Sequence, residues 1–115
     1  MEGTRTIALA GVTSIRVQKL RLKVTQGPDR GQETDLDQRI STVGSAVDAD
    51  VTLSDPTVSR VHFRIEATPE GNLIVDEESK NGTTVDGVRV LRAWLREGAE
   101  IRVGETVLVV RDAKQ

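Results

Sequence analysis

The chain has 115 residues, a formal net charge of −2, no cysteine and a single histidine. This length allows one hydrophobic core, and the missing cysteines and lone imidazole exclude a disulfide framework, a clustered metal site and a catalytic triad. Aromatic residues make up 2% of the chain, which together with the acidic balance argues against direct nucleic-acid binding. We therefore expect a single small domain that uses no metal and no cofactor.

The first residues give little structural signal. Residues 1–14 show no sustained periodicity, and the apolar run at residues 7–12 is too short for a signal peptide or a membrane span. We predict a flexible N-terminal leader over residues 1–14, one domain over residues 15–112, and a C-terminal tail or the start of a linker over residues 113–115. The expected location is cytoplasmic, without a membrane partner.

From residue 19 onward, short stretches alternate between apolar and polar residues. Leu20, Leu22 and Val24 share one face of a strand, and Phe63 and Ile65 share another, which places His62 off the core face. The predicted strands cover residues 19–24, 33–36, 40–43, 51–53, 61–67, 73–75, 83–85, 88–90, 100–103 and 106–111. Short strands separated by regular turn signals predict an all-β fold of two antiparallel sheets packed as a sandwich, with functional loops at one end.

Two connections carry further expectations. Asp86 and Gly87 form the dipeptide typical of a tight type I′ hairpin. Residues 91–98 are too long for a hairpin loop, and we expect Trp94 there to plug one end of the sheets or to lie in one helical turn. Asp48 and Asp50 lack the spacing of a calcium loop, and Asp50 is expected to anchor backbone amides.

Three loops hold polar residues that strand propensity does not explain. They contain Gly44-Ser45, the run Ser54-Asp55-Pro56-Thr57-Val58-Ser59-Arg60-Val61-His62, and Ser79-Lys80-Asn81-Gly82-Thr83. Here the chain resembles the forkhead-associated (FHA) family, whose pattern is Gly-Arg, then Asp-Pro-x-Val-Ser-Arg-x-His, then Asn-Gly-Thr. The resemblance covers about residues 19–111. It implies an FHA/SMAD-like sandwich of about ten to eleven strands that binds phosphothreonine peptides and is not an enzyme.

The resemblance also implies roles for individual residues. Ser59 would donate its hydroxyl to a phosphate oxygen, Arg60 and Lys80 would supply positive charge, and Asn81 would hold the peptide backbone. A phosphothreonine carries about −1.5 to −2 charges and three acceptor oxygens, so donors of these types suit it. The residues expected to support the binding loops are Gly44, His62, Gly82 and Thr83. The two glycines would allow backbone conformations that a Cβ disfavours.

The chain departs from the family pattern at Ser45, where the family has the arginine that contacts the phosphate. Loss of one hydrogen bond to a charged group should weaken binding by roughly tenfold to a hundredfold. Either Arg60, Lys80 or Arg89 compensates, with Ser45 still beside the phosphate, or phosphate dependence is lost. The alternative function is then a degenerate scaffold for phosphate-independent protein interaction or oligomerisation. A hydrolase built on Ser59 and His62 is disfavoured because no acidic residue accompanies them.

A second resemblance concerns the wider protein. The stretches at residues 87–95 and 103–106, together with Gly44-Ser45, look like the N-terminal FHA domains of bacterial sigma-54-dependent transcriptional activators. This resemblance implies a regulatory input domain that couples serine/threonine-kinase signalling to transcription. The expected partner is a threonine-phosphorylated protein or a segment of the same polypeptide, including a kinase substrate or the kinase itself.

Overall fold

The computed structural model describes the backbone of residues 4–9 and 12–113, and the side chains from residue 19 to residue 113. Strands and turns form this part of the chain, and none of it is a helix that could span a membrane. The strands, in chain order, are β1 (Thr4–Leu9), β2 (Val12–Gln18), β3 (Leu20–Gln26), β4 (Glu33–Leu36), β5 (Ile40–Gly44), β6 (Val51–Thr52), β7 (Phe63–Thr68), β8 (Gly71–Asp76), β9 (Thr83–Val85), β10 (Val88–Arg89), β11 (Arg92–Leu95), β12 (Glu100–Val103) and β13 (Thr106–Asp112).

Two sheets form the sandwich. The six-stranded sheet has the order β10-β9-β12-β13-β3-β4, and the five-stranded sheet has the order β11-β8-β7-β5-β6. Neighbouring strands are antiparallel except β5 and β6, which are parallel. The predicted all-β sandwich is therefore confirmed, with eleven strands in its two sheets.

The core is aliphatic around one phenylalanine. Phe63, Ile101 and Leu108 are fully buried, and they come from both sheets. Side chains alternate between buried and more exposed along β3 and β7, as the sequence pattern predicts. Burying each such side chain contributes about 1.5–3 kcal/mol to the stability of the folded domain. The packed sheets therefore form a stable base for the loops that connect their strands.

The N-terminal part differs from the loose leader predicted for residues 1–14. β1 and β2 pair as an antiparallel hairpin, with Ile7 opposite Ile15 and a register shift between Ile7 and Leu9. Seven of the thirteen residues in these two strands are β-branched, and such residues favour extended backbone even where the apolar alternation is too short to indicate a strand. Residues 1–3 and 10–11 lie outside the described residues, and the position of the domain boundary stays a prediction.

The C-terminal end is docked at Ala113. This residue is buried, and its N–H donates to the carbonyl oxygen of Lys19 at 3.0 Å. The expected tail over residues 113–115 therefore starts with a residue that is attached to the sandwich. Residues 114 and 115 lie outside the described residues.

Trp94 lies neither in a plug nor in a helical turn. It belongs to β11, at the edge of the five-stranded sheet, and 58% of it is exposed. Because side chains alternate along a strand, Ala93 and Leu95 face the core and Trp94 faces outward. The expectation of a buried tryptophan is therefore wrong.

Candidate functional site

Three loops meet at one end of the sandwich. We name them the Gly44 loop (residues 44–50), the Ser59 loop (residues 53–62) and the Asn81 loop (residues 77–82). The N–H of Ser45 donates to the carbonyl oxygen of Ser59 at 3.0 Å, which joins the first two loops. The N–H of Lys80 donates to Oγ of Ser59 at 3.0 Å, and Nδ2 of Asn81 donates to the carbonyl oxygen of Thr57 at 2.8 Å. All of the predicted binding residues therefore lie in loops that contact one another.

Gly44 is buried where β5 enters the Gly44 loop. A Cβ placed there would overlap the carbonyl oxygen and carbon of Arg60. The requirement for glycine is thus close backbone approach, not an unusual φ, which corrects the reason given by the sequence. Gly82 has the backbone conformation expected from the sequence: its φ is +85°, in the left-handed region that favours glycine.

His62 is fully buried between the Ser59 loop and the Asn81 loop. Its Nδ1 accepts a hydrogen bond from the N–H of Ser59 at 3.0 Å, and its Nε2 lies 2.8 Å from the carbonyl oxygen of Gly82. A carbonyl oxygen only accepts, so Nε2 carries the proton and Nδ1 is bare. Strand parity placed His62 off the core face, but it precedes β7 and its ring is fully buried.

Three hydrogen-bonding groups of Ser59 have partners within the loops. Its N–H donates to His62, its carbonyl oxygen accepts from Ser45, and its Oγ accepts from Lys80. The hydroxyl hydrogen remains available to donate to a ligand. The side chain is only half-buried, so a ligand can reach it.

Asp55 attaches the Ser59 loop to the turn between β12 and β13, a role that the sequence reasoning missed although Asp55 lies in the recognised motif. Its Oδ1 accepts from the N–H of Thr57 at 2.9 Å and from Oγ1 of Thr57 at 2.6 Å. Its Oδ2 accepts from the N–H of Glu105 and from Oγ1 of Thr106, each at 2.9 Å. Burial by itself raises the pKa of Asp55, but these hydrogen bonds outweigh it and hold the pKa below its ordinary value.

Asp76 organises the Asn81 loop in a similar way. Its Oδ1 accepts from Oγ of Ser79 at 2.6 Å and from Oγ1 of Thr83 at 2.8 Å, and its Oδ2 accepts from the N–H of Ser79 at 3.1 Å. Oγ of Ser79 in turn accepts from the N–H of Gly82 at 2.9 Å. Burial by itself raises the pKa of Asp76, but the hydrogen bonds from Ser79 and Thr83 outweigh it and lower the pKa overall. Thr83, fully buried, thus supports the loop through Asp76.

These two carboxylates predict a specific loss of stability in acid. Their pKa values are lower in the folded protein than the ordinary value of 3.8, so their contribution is complete above about pH 5 and is lost as pH falls through the folded pKa values. We expect Asp76→Asn to lower the free energy of unfolding at pH 7, by an amount that shrinks between pH 4 and pH 2. Urea unfolding of both proteins across this range measures it. A difference that stays constant from pH 7 to pH 2 would contradict the assignment.

Three cationic side chains surround the loops. Arg60 and Lys80 are exposed, and neither forms an ion pair within residues 19–113. The guanidinium of Arg89 lies against Gly82, with Nε, Cζ and Nη2 at 2.8–3.0 Å from the place of a Cβ on that glycine. Ser45 is half-buried beside them and brings no charge. In the same part of the chain, no three acidic or imidazole groups are placed to hold a metal ion.

Comparison with known proteins agrees with this geometry. An FHA domain from a study of phosphothreonine-dependent FHA domain interactions superposes with a TM-score of 0.76, at 32% identity, over 82% of this chain and 96% of that chain. The FHA domain of CT664 from Chlamydia trachomatis gives 0.76, at 32% identity, over 83% and 98%. The family model of the inner membrane component of T3SS, cytoplasmic domain, matches residues 23–114. The chain belongs to this family, which is of the FHA type.

Relatives of this FHA domain include named regulators. The glycogen accumulation regulator GarA of Mycobacterium tuberculosis (strain H37Rv) is 40% identical over 104 residues, which cover 89% of this chain and 63% of GarA. The oxoglutarate dehydrogenase inhibitor of Corynebacterium jeikeium is 35% identical over 100 residues, which cover 87% of this chain and 69% of that protein. The FHA domain thus spans less than two thirds of the length of GarA.

Proposed function

We propose that this FHA domain is a signalling module that binds a protein segment containing phosphothreonine. The observation that carries the proposal is the hydroxyl of Ser59, whose oxygen is occupied by Lys80 N–H and whose hydrogen is free to donate. Arg60 and Lys80 bring positive charge to the same loops, and neither forms an ion pair with a residue whose side chain the structure describes. A phosphate with about −1.5 to −2 charges and three acceptor oxygens is the ligand that such a group of donors suits.

Asn81 is suited to hold the peptide backbone. One N–H of its carboxamide donates to the carbonyl oxygen of Thr57, which fixes the orientation of the group. A carboxamide has a second N–H and an acceptor oxygen, which match the C=O and N–H of an extended peptide. Fixed orientation lowers the entropy cost of binding, because the side chain is already ordered before the ligand arrives.

Arg89 is one candidate to replace the family arginine, whose position Ser45 occupies in this chain. Its guanidinium already lies against Gly82, next to Asn81, and an arginine can form paired hydrogen bonds to phosphate. Arg60 follows Ser59 directly, and Lys80 is bound to Ser59 through its backbone. We therefore expect binding that still depends on the phosphate, with a lower affinity than in family members that have the arginine.

A second candidate function rests on Ser45 itself. If no neighbour compensates for its missing charge, the domain is a phosphate-independent interaction or oligomerisation scaffold. Replacing Ser45 by arginine separates the two candidates. We expect the native chain to bind phosphothreonine peptides and Ser45→Arg to bind them more tightly. If the native chain does not bind them and Ser45→Arg does, the second candidate is favoured.

The partner we propose is a threonine-phosphorylated protein or a phosphorylated segment of the same polypeptide, and kinase substrates and kinases both qualify. The names of GarA and of the oxoglutarate dehydrogenase inhibitor describe regulators. By analogy, this domain would regulate by binding, in the cytoplasm, without catalysis. An input role in a sigma-54-dependent activator stays a prediction from sequence resemblance, and a parent gene without an adjacent ATPase domain would refute it.

Titration of the protein with matched peptides tests the proposal. The peptides carry phosphothreonine, phosphoserine or unmodified threonine at one position, and binding is followed by fluorescence anisotropy. We expect the phosphothreonine peptide to bind tightest and Ser59→Ala to weaken it by roughly tenfold to a hundredfold. Ser54→Ala is the matched control, since the Ser54 hydroxyl donates to Asp29 instead. Equal binding of the phosphorylated and unmodified peptides would contradict the proposal.

A further inference from the structure

Three exposed apolar side chains lie on the side of the sandwich where both sheets end. Val88, Leu91 and Trp94 are 64%, 75% and 58% exposed. Val88 belongs to β10, the last strand of the six-stranded sheet, and Trp94 belongs to β11, the last strand of the five-stranded sheet. Only residues 90 and 91 connect these two strands, so the two sheets end side by side. Exposed apolar side chains concentrated on one side of a domain are typical of an interaction surface.

The backbone of β11 is paired on one side. It pairs with β8, from Arg92 opposite Val75 to Leu95 opposite Asn72, and no strand among the described residues pairs with its other side. Such an edge presents unpaired N–H and C=O groups, to which an extended segment of another chain can add as a further strand. β11 contains no proline and its register has no shift, so its own backbone allows this addition.

The five-stranded sheet is one strand narrower than the sheet that it faces. Val88 is opposite Val85 in the β9–β10 ladder, and Val85 packs against the core. Because opposite residues of paired strands share a face, Val88 lies on the inner face of the six-stranded sheet, yet it is exposed. A strand added beside β11 would lie across from β10 and would place alternate side chains on Val88. The partner would thus cover an inner face that the domain leaves open.

The charge of this edge selects the kind of partner. Residues 88–96 contain three arginines and no acidic residue, although the whole chain has a net charge of −2. Arg89, Arg92 and Arg96 are exposed, and none of them forms an ion pair with a side chain that the structure describes. A second copy of the chain would bring these arginines against their own counterparts, and like charges repel. Carboxylates of a different partner would be attracted instead.

We propose that residues 88–96, which we name the Trp94 edge, bind an extended acidic segment of a partner protein that adds a strand to β11. The inward-facing side chains of the segment are apolar and pack on Val88. Its outward-facing side chains place a carboxylate beside Arg92 and an apolar group beside Trp94, since these two residues share the outer face of β11. Tryptophan and arginine are the residues that most often dominate the binding energy of interfaces. The segment needs no phosphothreonine, so this inference is independent of the proposed function.

A designed peptide tests the Trp94 edge. The peptide has Val at every second position and Glu and Leu in turn at the others, and its binding is followed by fluorescence anisotropy. We expect Trp94→Ser to weaken binding by about tenfold or more. Arg92→Glu should also weaken it, and should instead favour a peptide with Lys in place of Glu. Two further peptides are methylated at alternate backbone nitrogens. One of them should lose binding, because only every second N–H of a strand points to its neighbour.

Controls decide which surface the peptide uses. Arg111→Glu makes the same charge change at an exposed position of β13 and should alter the affinity by less than about twofold. Absence of binding up to about 1 mM, binding that both methylated peptides retain, or equal effects of Arg111→Glu and Arg92→Glu would overturn the inference. A dimer that Trp94→Ser abolishes, detected by sedimentation, would also overturn it, because the occupant would then be a second copy. Affinity for a phosphothreonine peptide should be unchanged in Trp94→Ser.

Discussion

Replacing Gly44 by alanine is expected to destabilise the domain by about 3 kcal/mol or more. The new methyl group would overlap the carbonyl group of Arg60, which is backbone and cannot move aside like a flexible side chain. Overlap in a packed interior typically costs about 1–3 kcal/mol, and here relief would also break backbone hydrogen bonds. Those bonds join Ser45 to Ser59 and Ala46 to Arg60, so the loop that presents the Ser59 hydroxyl would shift as well.

A second glycine provides the control for this prediction. Gly31 lies in an exposed turn, its φ is +99°, and a Cβ there would have nothing within 4 Å. Gly31→Ala should therefore cost only about 1–2 kcal/mol, from backbone strain alone. Urea unfolding of both variants gives the comparison, and peptide titration gives the effect on the site. A Gly44→Ala variant that is no less stable than Gly31→Ala would contradict the close approach of the two loops.

Replacing Asp55 by alanine should have the second large effect. Asp55 is 1% exposed, and its carboxylate accepts four hydrogen bonds from three residues: Thr57, Glu105 and Thr106. Its removal leaves those donors without their acceptor, and the hydroxyl of Thr106 is fully buried, so water does not replace the lost bond there. One unsatisfied buried donor costs about 1–3 kcal/mol, so we expect a loss of about 3 kcal/mol or more. Peptide binding should weaken too, because the Ser59 loop loses its attachment to the turn between β12 and β13.

An exposed aspartate with similar bonds is the control. Asp50 accepts from the N–H of Thr42 at 2.8 Å and from Oγ1 of Thr42 at 3.2 Å, as its expected amide-anchoring role requires. Because water can replace those bonds, Asp50→Ala should cost only about 1 kcal/mol. Denaturant unfolding at pH 7 measures both variants. Equal losses for Asp50→Ala and Asp55→Ala would show that burial of Asp55 adds nothing.

The sequence predicted the parts of the fold that follow from local alternation. β3 and β7 alternate in the sequence and in the structure, and the bounds of β4 match the prediction. Trp94 was misplaced because an apolar residue on an exposed edge strand has the same local pattern as a core residue. The β1–β2 hairpin was missed because its pairing depends on contacts that no alternating pattern records.

The candidate site was predictable in its residues but not in its connections. The motif identified Ser59 and Asn81, but the link from Ser59 through the buried His62 to Gly82 appears only in the three-dimensional structure. The closeness of two arginines to Thr84 was invisible for a similar reason. Arg89 and Arg102 are thirteen positions apart in the chain, and only the register of β10, β9 and β12 places them on either side of Thr84.

Mapping the binding surface residue by residue tests the central claim most directly. Isotope-labelled protein would be titrated with a phosphothreonine peptide while the backbone amide resonances are recorded by NMR. We predict the largest shifts at Ser59, Arg60, Lys80 and Asn81, with little change at Trp94 and none with the unphosphorylated peptide. Shifts centred on the Trp94 edge, or equal shifts with both peptides, would contradict a phosphate site built from these loops.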